Sequence, residues 1–258
     1  MTERKVAFVT GSGAGIGKAI ALKLAGDGFD IVVNARRAES LKEVCAEVKE
    51  KGVDCLIAAG DVSREDAVSD IFSKIKKQFG RLDVLVNNAG ICPIRKMDKI
   101  HAEELRKTFD VNVISMFLCA KEAVEIMKNQ PEGGKILNAA SQSAFRETPV
   151  TFEYTTTKWS IRGMTKAMSD ALKPYHITVN AYCPGTVITP MQDKIAKETA
   201  KEMHAPAWLV RKYQLMSQPL GRFQPAEDIA NMVSFLASDR ANGINGQNIL
   251  CNGGQVMN

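Results

Sequence analysis

The sequence predicts an α/β fold, a doubly wound sheet of seven parallel strands with helices on both faces. Two observations carry the prediction. Short β-branched runs alternate with longer amphipathic ones almost from end to end, and parallel strands need crossovers that lay helices over both faces of their sheet. A glycine-rich turn, Thr10-Gly11-Ser12-Gly13-Ala14-Gly15-Ile16-Gly17, also separates the first strand-like run from the first helical one.

The first strand is expected over 6–10, where Val6-Ala7-Phe8-Val9 is continuously apolar, as a strand buried on both faces reads. A helix over 16–27, a strand over 31–35 and a helix over 39–51 follow. The third strand falls at 54–59 and the next helix at 64–78, where Ile71, Phe72, Ile75 and Phe79 recur at helical spacing. That spacing makes Lys74-Ile75-Lys76-Lys77 one solvated helix face. A fourth strand (82–87), a long helix (102–128), a fifth strand (135–140), a helix (153–173) and a sixth strand (178–182) continue the alternation. Residues 186–224 depart from it, as an insertion with a helical pattern around 193–215. A helix over 226–237 and a seventh strand over 247–251 complete the series.

No Pro/Gly/Ser-rich linker and no repeat divides the chain, so residues 1–258 are expected to form one domain. The insertion at about 186–224 leaves the carboxyl end of a strand, the side on which open α/β sheets bind ligands, and is expected to be a substrate lid.

A chain that is 45% hydrophobic and 24% charged fits a soluble enzyme. The formal charge of +5 is modest, and neither a large basic patch nor a reading module points to nucleic acid. No run of eighteen apolar residues occurs, and the first apolar run is too short for a signal-peptide core. A cytoplasmic protein without a membrane partner is expected. Cys45, Cys55, Cys92, Cys119, Cys183 and Cys251 contain no C-x-x-C pair, and His101, His176 and His204 are equally dispersed. They read as reduced thiols and isolated histidines, and no metal site is expected.

Glycines after a buried strand permit positive φ and bring backbone N–H groups to a pyrophosphate at a helix N-terminus. The usual G-x-G-x-x-G spacing would put glycine at Ile16 and fails, whereas T-G-x-x-x-G-I-G fits. That motif resembles the short-chain dehydrogenase/reductase family, and further landmarks follow in order. Asp61-Val62 comes after the third strand and Asn87-Asn88-Ala89-Gly90 closes the fourth. Asn112 lies in the long helix, Ser141 ends the fifth strand, Tyr154 and Lys158 form Y-x-x-x-K, and Pro184-Gly185 with Thr189 follows the sixth strand. The resemblance spans essentially the whole chain and implies a Rossmann-type fold, a nicotinamide dinucleotide cofactor and a homotetramer.

It implies cofactor contacts at Gly11, Ser12, Gly15, Ile16, Gly17, Asp61, Val62, Asn88, Ala89, Gly90, Tyr154, Lys158, Pro184, Gly185, Val187 and Thr189. It also implies the catalytic roles. Tyr154 is the acid/base, Ser141 hydrogen-bonds the substrate oxygen, Lys158 holds the nicotinamide ribose and biases Tyr154, and Asn112 anchors a water in the proton relay. Tyr154 and Lys158, four apart on a helix, project from one face. Carbonyl reduction needs hydride at carbon and a proton at oxygen. A free phenol, with a pKa near ~10, is a poor base for the reverse oxidation. A neighbouring ammonium favours phenolate, and a fall of about three units equals about 4 kcal/mol. Lys158 is expected to supply that charge, helped by the cationic oxidised nicotinamide.

NAD-preferring relatives carry an acidic residue at the end of the second strand. Ala35 holds that position here, followed by Arg36 and Arg37. Arginine suits a 2′-phosphate through charge-assisted bonds, and cations at a helix start gain nothing from its dipole. NADP(H) is therefore expected over NAD(H).

Substrate contacts are expected from Ser141, Gln142, Arg146, Thr148, Tyr154, Met191 and Gln192, with Ile91, Cys92, Ser143 and Glu147 nearby. Gly133-Gly134-Lys135-Ile136-Leu137-Asn138, Ala140-Ser141-Gln142, Tyr182-Cys183-Pro184-Gly185 and Thr189-Pro190-Met191 look like the diacetyl/acetoin reductase and 2,3-butanediol dehydrogenase branch. Gly253-Gly254-Gln255-Val256-Met257 also looks like polyol dehydrogenases. That diol branch usually has an acidic residue where Ala35 stands and an aromatic where Gln192 stands. The expectation is an oxidoreductase interconverting a secondary alcohol and a ketone on a small polar hydroxyketone or diol, a polyol or a sugar. A hydroxysteroid or 3-oxoacyl reductase, or a cofactor-sensing protein without catalysis, are the alternatives.

Overall fold

The computed structural model describes residues 4–146 and 150–257. Seven strands form one sheet: β1 (Val6–Val9), β2 (Asp30–Val33), β3 (Cys55–Ile57), β4 (Val84–Asn87), β5 (Gly134–Ala139), β6 (Ile177–Pro184) and β7 (Asn248–Cys251). They lie in the order β3-β2-β1-β4-β5-β6-β7, and every pairing is parallel. This is the Rossmann-type doubly wound sheet.

The apolar strands are continuous because both faces are covered. Along β1, Ala7 and Val9 enter one core while Val6 and Phe8 enter the other. Ile31 and Val33 face away from Val32 in the same way, as do Val84 and Val86 from Leu85. Helices α1 (Gly15–Gly26), α2 (Glu39–Lys49) and α9 (Ala226–Ala237) close over the first core. Helices α3 (Glu65–Phe79) and α5 (Ser115–Met127) close over the second, where Phe8 meets Phe72 edge-on with ring centroids 5.5 Å apart.

Two helical segments differ from expectation. The span 102–128 is not one α-helix. It divides into α4 (Ala102–Phe109), a π turn at Asp110–Ile114 and α5. The insertion holds two helices, α7 (Pro190–Glu202) and α8 (Ala207–Met216). They part where His204 takes a left-handed φ of 52° and Pro206, lacking an N–H, cannot continue the ladder. Helix α6 (Phe152–Ala171) runs beside α4 and against β6.

The chain reverses its direction of winding between β1 and β4, so the loops leaving these strands diverge and open a crevice at their carboxyl ends. The glycine loop after β1, residues 88–90 after β4, Ser141 after β5 and Gly185 after β6 lie at that end of the sheet.

Candidate active site

The loop after β1 is shaped by what a side chain would strike. Gly11 and Gly15 have φ of 64° and 57°, a region open mainly to glycine. A Cβ on Gly17 would lie 2.4 Å from the Gly11 carbonyl oxygen and 2.5 Å from Asn88 Nδ2. Ala14, ahead of α1, makes no side-chain cap, so the first N–H groups of that helix face the crevice without a protein acceptor from the cap. Backbone donors at a helix N-terminus that follows a glycine-rich loop fit a pyrophosphate.

Polar cross-links hold the loop. The Thr10 hydroxyl accepts from the Asn88 and Ala89 backbone N–H groups at 2.9 and 3.0 Å. Asn88 Nδ2 donates back to the Thr10 and Gly11 carbonyls at 3.0 and 3.2 Å, and the buried Tyr182 hydroxyl donates to Asn88 Oδ1 at 3.1 Å. Ser12 turns inward. Its N–H donates to the Asn34 carbonyl at 2.8 Å and its hydroxyl accepts from Asn34 N–H at 2.9 Å. Ser12 therefore fastens the loop to the end of β2. Ile16 packs against the first core.

Arg36 and Arg37 are exposed in the turn between β2 and α2. Burial works to raise the Asp61 pKa, but two Ser63 hydrogen bonds and the Arg36 and Arg64 charges hold it below the usual carboxylate range. Val62 beside it is buried. Gly90 lies so near Asn112 that a Cβ would sit 3.2 Å from its Oδ1. Pro184 ends β6, and Gly185 donates to the Cys251 carbonyl at 3.1 Å. Val187 bridges to Gln224. Thr189 caps α7 by accepting from Gln192 N–H at 3.2 Å, and its methyl carbon would touch a Cβ on Gly15 at 3.2 Å. The first turn of the insertion thus rests on the glycine loop.

Ser141, Tyr154 and Lys158 come together beyond β5. The Ser141 hydroxyl caps the short 3-10 turn Gln142–Ala144 by accepting from Ser143 N–H at 3.1 Å, which leaves its proton free to donate. Lys158 is buried, donates to the Ala139 carbonyl at 2.5 Å, and sits 5.3 Å from the Tyr154 ring centroid. Burial pushes the Lys158 ammonium down to about 8, with the Cys92 and Cys183 thiols opposing. Burial likewise pushes Tyr154 well above an ordinary phenol, Cys92 adds to the rise, and the facing Ser141 side chain partly offsets it. Dehydration dominates both shifts, so in the protein alone the phenol is raised, not lowered as expected from the ammonium beside it. Cys92 is itself a thiol, pushed up to about 12 by burial.

Asn112 stands at the middle of the π turn. Its Nδ2 donates to the Ile91 carbonyl at 2.9 Å and to the Thr157 hydroxyl at 3.1 Å, while Oδ1 accepts from Ile91 N–H at 2.8 Å. Both amide protons are committed, so the side chain braces the loop after β4 against α6. Deeper in the sheet, Asn87 Nδ2 donates to Asn138 Oδ1 at 2.9 Å, and Asn138 Nδ2 donates to Thr165 at 3.1 Å.

Of the expected substrate residues, Gln142 is buried next to the serine, Arg146 is half-buried, and Met191 is exposed at the start of α7. Gln192 braces α7 to α8 by donating to Gln214 Oε1 at 3.2 Å. Thr148 and Glu147 lie outside the described residues. Sequence reasoning missed Gln255, whose side chain meets Gln142 at 2.6 Å; its motif was noticed, but no spacing rule ties a chain end to a turn 113 residues earlier. It also missed Glu153, fully buried next to Tyr154 and paired with Arg95 at 3.1 Å. A cavity of about 620 Å³ opens at the opposite, amino end of the strands beside Lys5, Lys135 and Asp239. It is remote from this chemistry. Among the described residues no cluster of His, Cys, Asp and Glu could hold a metal ion, and no helix is long and apolar enough to cross a membrane.

This loop, crevice and Ser–Tyr–Lys cluster define a nicotinamide-dependent oxidoreductase, and the chain belongs to the short-chain dehydrogenase family, whose model matches residues 5–200. It acts on alcohol and carbonyl groups. The (S)-acetoin-forming diacetyl reductase of Staphylococcus epidermidis is 39% identical over 98% of each chain. The 3-oxoacyl-acyl-carrier-protein reductase of Staphylococcus aureus is 38% identical over 100% of each. Among solved structures, NAD+-bound xylitol dehydrogenase superposes with a TM-score of 0.94 at 30% identity, covering 98% of this chain and 100% of that one. YwfH, an NADPH-dependent reductase of bacilysin biosynthesis, superposes with a TM-score of 0.92 at 31% identity, covering 99% and 100%.

Proposed function

We propose that the protein is an NADP(H)-dependent reductase of small polar hydroxyketones or diketones, polyols or sugars, working also in reverse as an alcohol dehydrogenase. The observation that carries this reading is the convergence of Ser141, Tyr154 and Lys158 beside a loop whose Gly11 and Gly17 have no room for a side chain. Bound in the crevice, the nicotinamide supplies the hydride or takes it up. Ser141, its lone pair engaged by Ser143 N–H, donates its proton to the substrate oxygen. Tyr154 gives that oxygen its proton in reduction and removes it in oxidation. Lys158, anchored on the Ala139 carbonyl, holds the nicotinamide ribose and makes the phenolate less costly. Asn112 keeps the loop after β4 in register with α6.

The cofactor preference rests on Ala35, Arg36 and Arg37. No carboxylate stands where NAD would want one, and two exposed guanidinium groups in the turn after β2 would suit a 2′-phosphate. Neighbours of both cofactor types share the fold, so these residues, not the architecture, carry the preference. The substrate class rests on the likeness to the diacetyl reductase and the xylitol dehydrogenase and on the polar Gln142 and Arg146. Residues 1–258 are one domain in this reading, with α7 and α8 as its lid. The exposed Ile114, Phe117 and Trp159 on the α5–α6 side support a homotetramer, and six free thiols support a reducing, cytoplasmic setting.

The experiment is a panel of diacetyl, acetoin, ketoses, a ketosteroid and an acetoacetyl thioester, each with NADPH and NADH. The expected result is the highest kcat/KM on a small hydroxyketone or diketone, with NADPH ahead of NADH by about tenfold or more, as loss of a charge-assisted phosphate contact implies. A thioester preference would move the enzyme to the 3-oxoacyl reductases, and an NADH advantage would overturn the role given to Arg36.

A further inference from the structure

A chain of buried and half-buried amides and hydroxyls connects the catalytic turn to the start of the insertion and to the end of α8. Gln142, first residue of the turn that Ser141 caps, donates through Nε2 to Gln255 Oε1 at 2.6 Å. Gln255 Nε2 donates in turn to the Ser217 hydroxyl at 2.6 Å, where α8 ends. The Thr186 hydroxyl, where the insertion leaves β6, reaches Gln255 Oε1 at 3.5 Å and accepts from Gln218 Nε2 at 3.2 Å. One residue of the C-terminal tail therefore touches the catalytic turn, the entrance of the insertion and the end of α8.

The tail that carries Gln255 is fixed in its own right. Asn252 Nδ2 donates to the Val256 carbonyl at 2.8 Å, and Gly254 N–H donates to Asn252 Oδ1 at 3.1 Å. It passes so close to the end of β6 that a Cβ on Gly185 would lie 2.8 Å from Asn252 Cα. Gln142 and Gln218 are only 8% and 3% exposed, and the Oε1 of each is buried without a protein partner. A buried amide that lacks one partner is held by the bonds it does make. For Gln142 that side-chain bond is the one to Gln255.

We propose that Gln255 is a positioning residue that couples the α7–α8 insertion to the Ser141–Gln142 turn, so that settling the insertion over a carbonyl substrate and setting the serine turn are one event. The proposal rests on the reading of Ser141 and of the insertion given above. A loop that moves in function belongs to the less stable part of a fold, and three contacts through one side chain give its position a route to the chemistry.

Two substitutions test it. Gln255→Met keeps the length and removes both bonding groups, whereas Gln255→Glu keeps acceptors for Gln142 and for a Ser217 hydroxyl turned to donate. The Met variant is expected to raise KM for the carbonyl about tenfold, with kcat within about threefold and KM for NADPH unchanged, and the Glu variant to recover most of the loss. Amide hydrogen exchange should quicken together at Ala144 and Phe145, whose N–H groups bond to Ser141 and Gln142, and at Ser217 and Gln218, which bond to Tyr213 and Leu215. Exchange that quickens at one segment or neither overturns the coupling. So do equal kinetic losses in both variants, or unchanged kinetics with only a lower Tm. The exchange measurement needs no substrate. Inactivity of the native enzyme on every carbonyl would sink the functional reading, and the paired response would still decide the coupling.

Discussion

At the scale of single residues, the proposed chemistry rests on two dehydrated groups whose separate charged forms are both disfavoured. Burial pushes Lys158 down to about 8 and Tyr154 up. An ammonium beside a phenolate relieves each of the other's cost, which the isolated phenolate or ammonium does not obtain. The same burial makes a stability prediction. The usual lysine pKa near ~10.4 applies to the unfolded chain, so between about pH 8 and that value the unfolded state binds more protons at Lys158 than the folded state. The contribution of Lys158 to stability is therefore complete above the unfolded pKa and is lost as pH falls through about 8. Urea denaturation of the native protein and of Lys158→Met at pH 7.5 and 9.5 should show the native protein gaining stability relative to the variant at the higher pH. A parallel response of the two proteins would mean that the ammonium is not dehydrated.

At the scale of elements, the local pattern identified the strands and most helices, because period and burial coincide there. It failed where a side chain or a single backbone twist decides the path. Periodicity cannot distinguish a continuous helix over 102–128 from α4 and α5 joined by a π turn, since the apolar face continues through Asp110–Ile114. Asn112, held between the loop after β4 and α6 by Ile91 and Thr157, marks the break. The start of α6 is set by a contact no spacing could reveal. Glu153 is buried and bonded by Arg95 and by the Thr108 hydroxyl at 3.1 Å, and Arg95 also reaches Glu104 at 3.0 Å. Arg95→Met would leave the Glu153 carboxylate buried beside a shortened set of partners. Arg95 is itself one-third exposed (34%), so the cost should be below that of a fully buried pair, about 2–4 kcal/mol. Tm should fall by about 4–12 °C, and turnover should fall with it because Tyr154 adjoins Glu153. A variant melting with the native protein would show that the ion pair does not hold α6.

For the molecule as a whole, the sheet, its parallel sense and the position of the site at its carboxyl end were legible in the alternation of runs and in one glycine loop. Ser141, Tyr154 and Lys158 were legible through their motif spacing, and the structure brings them together. Contacts between the C-terminal tail and the insertion were not, because Gln255 meets Gln142, Ser217 and Thr186 only once the sheet has closed. The central claim is that one phenol trades the proton while the glycine loop holds the cofactor independently of it. The most direct test is NADPH oxidation by Tyr154→Phe with the best carbonyl of the native enzyme, alongside NADPH binding followed by fluorescence. Turnover should fall by about 10²–10⁴-fold, the usual contribution of a positioned acid, with the NADPH dissociation constant within about twofold of native. Turnover close to that of the native enzyme would contradict the account.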